Sequence, residues 1–301
     1  MPRTLTALLP LLPLLLGGCA EHVTVSAPPP PRDPTRAWGR VVEAAATPQG
    51  VDYAYIDEHR DVLHRYIAWV AEHGPIIDDW SDSDEDHSIA FMANAYNAFV
   101  IEDVLRLKVT DSVLGVGEGV WGIKPGSYFF LGRKHRIDGD WQSLYVLEHQ
   151  DIIGRYQEPL VHMALNCASK GCPPLRFWRK RGLQGDLRQA FRVWLDGGAL
   201  VQTDAGYAVS ELLFWYEDDF LDWSNKPSLC AYLADHTTGP AAAYMREHAR
   251  RCTLGRLPYD WSLNAAPPGS ARPDQLPPAE PEPEPEPTTP KGAADDEDGQ
   301  L

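Results

Sequence analysis

Positive charge is scarce in this chain: 27 lysines and arginines stand against 43 aspartates and glutamates, for a formal net charge of −16. A phosphate backbone needs clustered Lys and Arg to neutralise it, and no such stripe occurs, which argues against nucleic acid as a partner. Long apolar runs are missing too. The longest, Leu5 to Leu16, is broken by Pro10 and Pro13 and falls short of the roughly 20 residues a membrane-spanning helix requires. Cofactor fingerprints are also absent. The glycine-rich stretch Gly115 to Gly126 matches neither the dinucleotide nor the P-loop pattern. The acidic run Asp78 to Asp86 lacks the glycine and glutamate register of an EF-hand loop. No cofactor and no metal is therefore assigned.

Cysteine is sparse, five in 301 residues, but well placed. Cys19 closes the run Leu16-Gly17-Gly18-Cys19 behind an apolar stretch that follows Arg3. A positive start, an apolar middle and small residues before a cysteine make residues 1–19 a lipoprotein signal, cut and lipidated (palmitate) at Cys19. The expected location is the bacterial cell envelope, with the membrane as first partner. Ala20 rather than aspartate follows the cysteine, which favours the outer over the inner membrane. Residues 20–37, with Pro28 to Pro31, read as a stiff extended linker. Residues 265–301 carry a Glu-Pro repeat from Glu280 to Pro287 and then Asp295-Asp296-Glu297-Asp298, so they read as a disordered acidic tail with almost nothing apolar to bury. The domain proper is expected over 38–264.

Within it, Tyr53 to His73 has the periodicity of an amphipathic helix. His87 to Leu107 is apolar almost all round and predicts a central buried helix, in which Asn94 and Asn97 need partners. Tyr128–Leu131 and Lys134–Ile137 predict a hairpin turning at Gly132-Arg133, with Asp140 capping the helix that follows. Further helices are expected at Pro159 to Leu165 and Leu183 to Leu195. A second hairpin is expected around Asp204-Ala205-Gly206, and Ser210 caps a helix after it. Helices interrupted by short antiparallel hairpins make a mostly helical α+β domain. In an oxidising compartment the remaining cysteines should pair, Cys167 with Cys172 and Cys230 with Cys252 by neighbourhood.

The densest polar constellation is Glu148-His149 followed by His162, Asn166, Cys167, Ser169 and Cys172. Glu158, His162 and Asn166, four apart, would share a helix face. Zinc has suitable ligand types here but the wrong spacing. Two functions compete. As a binding module, the pocket holds a small-molecule or peptide ligand among Asn94, Asn97, Asn166 and Cys172, with the cysteines as a staple. As an enzyme, a thiol-dependent hydrolase or acyltransferase would use Cys167 as nucleophile, His162 or His149 as base, and Asn97 or Glu148 to orient it. Oxidising surroundings favour the staple, and hence binding.

The runs Asn94-Ala95-Tyr96-Asn97-Ala98, Leu147-Glu148-His149, His162 through Pro174, Trp215 through Phe220 and Tyr259 through Asn264 occur in an order that resembles the family called domain of unknown function 547. The resemblance implies one mixed helical domain and points to Asn97, Glu148, His149, His162, Cys167 and Cys172. That family usually has a Pro-Arg pair before its histidine segment; here Glu158-Pro159-Leu160-Val161 stands instead, leaving Arg155, Arg176 or Arg179 as substitutes.

Overall fold

The computed structural model describes residues 20–27, 30, 32–75, 82–117 and 124–275. Its first element is a short strand, β1 (Glu21–His22), paired in parallel with Arg133 and Lys134. Helix α1 (Thr35–Ala45) buries Trp38, Val41 and Val42. Strands β2 (Ala46–Thr47) and β3 (Gly50–Val51) form a small antiparallel pair. The helix expected over Tyr53–His73 is two helices, α2 (Tyr53–Glu58) and α3 (Arg60–Val70). Asp52 caps the first by accepting the Tyr55 N–H, and His59 leaves the helical region with φ −108° and ψ 24°. Helix α4 (Asp82–Leu107) begins before the expected His87. Asp78 and Asp79 lie outside the described residues.

The hairpin turn falls elsewhere than expected. Tyr128–Gly132 is a π-helical turn, and strand β4 (Arg133–Ile137) pairs with β5 (Asp140–Ser143) around Asp138-Gly139. Both turn residues have positive φ, 49° and 86°, as a two-residue hairpin loop requires. Asp-Gly meets that demand, whereas Gly132-Arg133 would place an arginine in the left-handed region. Asp140 consequently belongs to a strand, and Ser143 caps the next helix by accepting the Val146 N–H. That helix runs as α5 (Leu144–Val146), a π-helical stretch over Leu147–Ile153, and α6 (Gly154–Tyr156). A 3-10 helix follows over Pro159–Ala164.

Helix α7 (Leu183–Trp194) leads to the second hairpin, β6 (Leu200–Thr203) with β7 (Gly206–Ser210), as expected. Helices α8 (Leu212–Trp215), α9 (Glu217–Asp222), α10 (Leu229–Leu233) and α11 (Gly239–Glu247) precede β8 (Gly255–Leu257), which lies parallel to β7. The Cys230–Cys252 disulfide ties α10 to the segment after α11. The fold is α+β, and no helix among the described residues is long and apolar enough to cross a membrane.

The packed unit extends past the sequence-based limits at both ends. Val23 is buried, and the Glu21 carboxylate meets Arg133 at 2.6 Å, so residues 21–23 belong to the packed unit. At the other end Ala265 bridges Val51, Ala266 is buried, and the Ala271 N–H donates to Asp52. Residues 276–301 lie outside the described residues.

Two carboxylates on α4 hold this frame together. Glu102 is buried and receives Arg60, Arg106 and His64, at 3.2, 2.8 and 3.1 Å. Burial pushes its carboxyl up, but those hydrogen bonds outweigh burial and hold it at about 2. Next to it Asp103, also buried, takes Arg133 at 2.9 Å and His135 at 2.9 Å. Removing one partner of a buried ion pair strands the other. An Asp103→Ala variant should therefore lose about 3–5 kcal/mol of stability in urea unfolding. A folded-state carboxyl lowered in this way stabilises above the unfolded value and ceases to as pH falls. Stability should accordingly decline between about pH 4.5 and pH 2 in wild type. A Glu102→Gln variant should lose that component of the pH profile and be less stable at neutral pH. Ending the chain at Asn264 should lower the thermal midpoint, since it removes the contacts of Ala265, Ala266 and Ala271.

Candidate functional site

The cavity that collects the chemistry has a volume of about 200 Å³ and is reached by Glu148, His149, His162, Cys167 and Cys172. A second cavity is larger, about 520 Å³, but holds none of the histidines and no carboxylate. Cys172 borders both. The smaller is the candidate because titratable groups converge there.

Glu148 and His149 stand on the π-helical stretch after α5, whose wider turn presents both to one side, a feature that recurs at functional sites. The Glu148 carboxylate accepts the Tyr96 hydroxyl at 2.7 Å and the Tyr216 hydroxyl at 3.1 Å. Burial first, and then the Glu148 charge, push both phenols above their ordinary value, so they stay protonated as donors. His162 is buried in the 3-10 helix, its Nε2 3.0 Å from Asp219 and its ring 4.1 Å from that of Tyr216.

Cys167 and Cys172 are paired in disulfide geometry, with Cα atoms 6.3 Å apart. It sits in a cradle of donors: the Tyr259 hydroxyl lies 3.2 Å from Cys167 Sγ and 3.1 Å from Cys172 Sγ, and Ser169 Oγ lies 3.0 Å from Cys167 Sγ. The Cys167 N–H also donates to Cys172 Sγ at 2.9 Å. Two backbone features permit the loop. Ala168 takes φ 64°, an unusual cost for a residue with a side chain. A Cβ at Gly171 would meet the Tyr259 ring at 2.8 Å, so only glycine lets that ring approach. Above the bridge Trp215, Tyr259 and Trp261 form an aromatic wall, with ring centroids 4.8 Å and 4.7 Å apart along it.

The asparagines do other work. Asn97 donates to the Ala164 carbonyl at 2.9 Å and accepts the Asn166 N–H at 2.8 Å. Asn94 embraces the backbone of Trp178 in the same way, at 2.8 and 2.9 Å. Asn166 donates to Pro173 and accepts from Ala168 and Asn264. All are braces behind the cavity, engaged by the chain itself, although Asn166 borders the second cavity. The shared helix face of Glu158, His162 and Asn166 does not form, because the segment is 3-10 and ends at Ala164; Glu158 caps it through the Leu160 N–H. Arg155, Arg176 and Arg179 do not line the smaller cavity, and Arg179 pairs with Glu43. Among the described residues no group of three His, Cys, Asp or Glu is placed to hold a metal.

Sequence reasoning singled out no role for Tyr96, Tyr216, Tyr259, Trp215, Trp261 or Asp219. Each lies inside a run that carries the family resemblance, and that was the available signal.

Residues 80–195 match the family model described as "Protein of unknown function, DUF547". The match takes in Tyr96, the Glu148-His149 pair, His162 and both bridge cysteines, but stops before the aromatic wall. No curated protein and no solved structure matches the chain. Because Asn97 spans two backbone partners in the core, an Asn97→Ala variant should lose about 1–3 kcal/mol in chemical denaturation, the penalty for buried groups left unpaired.

Proposed function

We propose that the chain is a lipid-anchored envelope protein whose Glu148 cavity binds a small polar ligand or one end of a peptide. One observation carries this reading: Cys167 and Cys172 stand in disulfide geometry, and as a pair they leave the cavity wall a carboxylate, imidazoles, hydroxyls and aromatic faces but no thiol nucleophile. Recognition needs only those groups. At about 200 Å³ the cavity is smaller than the roughly 300–1,000 Å³ of sites for drug-sized molecules, so the guest is small or inserts a single group. The lipid at Cys19 belongs to the same reading. With β1 starting at Glu21, such an anchor would hold the domain against the bilayer with no stalk between them.

A second reading rests on the donors around the bridge. Were the pair reduced, the Ser169 and Tyr259 hydroxyls would stabilise a Cys167 thiolate, and His162 already has Asp219 to orient it. That is the arrangement a thiol-dependent hydrolase or acyltransferase would use.

Native protein purified without reductant should show no iodoacetamide-reactive thiol by mass spectrometry. It should bind at least one member of a panel of monosaccharides, amino acids, dipeptides and alkylammonium ions, and Trp215→Ala should weaken that binding about ten-fold. A freely alkylated Cys167, together with p-nitrophenyl acetate turnover that disappears in Cys167→Ser, would replace binding with catalysis. For the anchor, Cys19→Ser should release the protein from membranes; unchanged partitioning would remove the lipid from the proposal.

A further inference from the structure

The lining of the Glu148 cavity is selective in sign. It contains one carboxylate and no lysine or arginine. The negative charge reaches across the space: after burial, Glu148 is what holds Tyr96 above its ordinary phenol value, and it acts in the same direction on Tyr216 and Tyr259. An anionic guest would enter with no cation to meet it, at the full cost of leaving water.

The acceptors are also few. Each Glu148 oxygen already takes one tyrosine hydroxyl and has one lone pair left, and Asp219 lies against His162 outside the lining. A primary ammonium carries N–H donors that would give up hydration for few partners. A quaternary ammonium has none to satisfy. Its charge is spread over methyl groups, which suit the faces of aromatic rings within about 6 Å. Such faces are what the cavity supplies. Trp215, Tyr259 and Trp261 form one wall, with Trp215 and Trp261 ring centroids 5.9 Å apart, and Tyr216 lies on the Glu148 side. A tyrosine that donates its hydroxyl to a carboxylate also has a more electron-rich ring, so the same contacts strengthen the attraction of its face for a cation.

We propose that the guest is a small quaternary ammonium group, enclosed by Trp215, Tyr216, Tyr259 and Trp261 and balanced by the Glu148 carboxylate. This rests on the reading of the cavity as a binding site. The group can arrive as a free solute or as the headgroup of a lipid, which the two share chemically.

The test compares choline with its uncharged isostere 3,3-dimethyl-1-butanol by isothermal titration of the full chain at pH 8, where ordinary histidine is neutral. Choline should bind at least about ten-fold tighter, Glu148→Gln should weaken choline about ten-fold more than it weakens the isostere, and Trp215→Ala should weaken choline by about ten-fold. Equal affinity for choline and the isostere overturns the cation and leaves the binding reading intact. Binding of a monosaccharide or dipeptide but not choline does the same. Binding of nothing overturns both. The comparison of the two ligands on wild type decides the matter even if a variant fails to fold. Once choline binding is seen, vesicle sedimentation separates the sources. Retention by phosphatidylcholine but not phosphatidylglycerol, using protein cut after the signal and carrying no lipid, identifies a headgroup; no retention identifies the free cation.

Discussion

The structure depends on pairing the polar groups of a helix that is buried without a break from Ser88 to Val104. Along α4 the residues Asn94, Asn97, Glu102 and Asp103 are all buried, as is the Tyr96 ring. A buried polar group without a partner costs several times what a satisfied one contributes, so each must draw in another part of the chain. Asp103 draws in Arg133 and His135 from β4, and through Arg133 the Glu21 carboxylate of β1. Glu102 draws in α3 through Arg60 and His64. The hydrophobic core fills the space around this helix, and the polar pairs choose which elements stand where.

The candidate site follows from the same requirement. Tyr96 meets it by reaching Glu148, and Asn97 by holding the backbone on either side of Leu165, which aims the chain into the cysteine loop. The cavity thus has a rigid floor made of core contacts, a side wall formed by a disulfide among hydroxyl donors, and an aromatic wall contributed by α8 and the segment around Tyr259. Preorganisation of this kind lowers the ordering cost of binding, because the groups that meet a guest are already held by the fold. Glu148 illustrates the economy of the arrangement: a single carboxylate keeps two tyrosines oriented and sets the sign of the field in the cavity.

Corrections to the sequence reading share a physical origin. The hairpin turn belongs to Asp138-Gly139 because two successive left-handed residues are needed there, a demand of the strand twist that Gly132-Arg133 does not meet. The segment Pro159–Ala164 winds as 3-10 rather than α, which breaks a four-residue face that spacing alone suggested. Residues 21–23 and 265–271, whose composition gives no core signal, are packed through strand pairing and backbone hydrogen bonds to distant partners. Short pairings of this sort leave almost no trace in periodicity.

What the sequence by itself determined was local or compositional: the α+β class, the buried character of α4, the β6–β7 hairpin, both cysteine pairings, and the gathering of Glu148, His149, His162 and the bridge into one chemical neighbourhood. Those follow from spacing, from turn chemistry and from the proximity of cysteines along the chain. Only the tertiary structure decided what the asparagines do, since an amide inside an apolar helix serves a brace or a ligand equally well until its partners are known. It alone brought Tyr96, Tyr216, Tyr259 and the tryptophans to the same cavity, because they come from three separate segments and no periodicity relates them. The two buried carboxylates of α4 were equally hidden. Apart from Arg106, one turn from Glu102, their partners lie about thirty to forty residues away, and a charge in an apolar helix becomes tolerable only where the fold delivers an arginine to meet it.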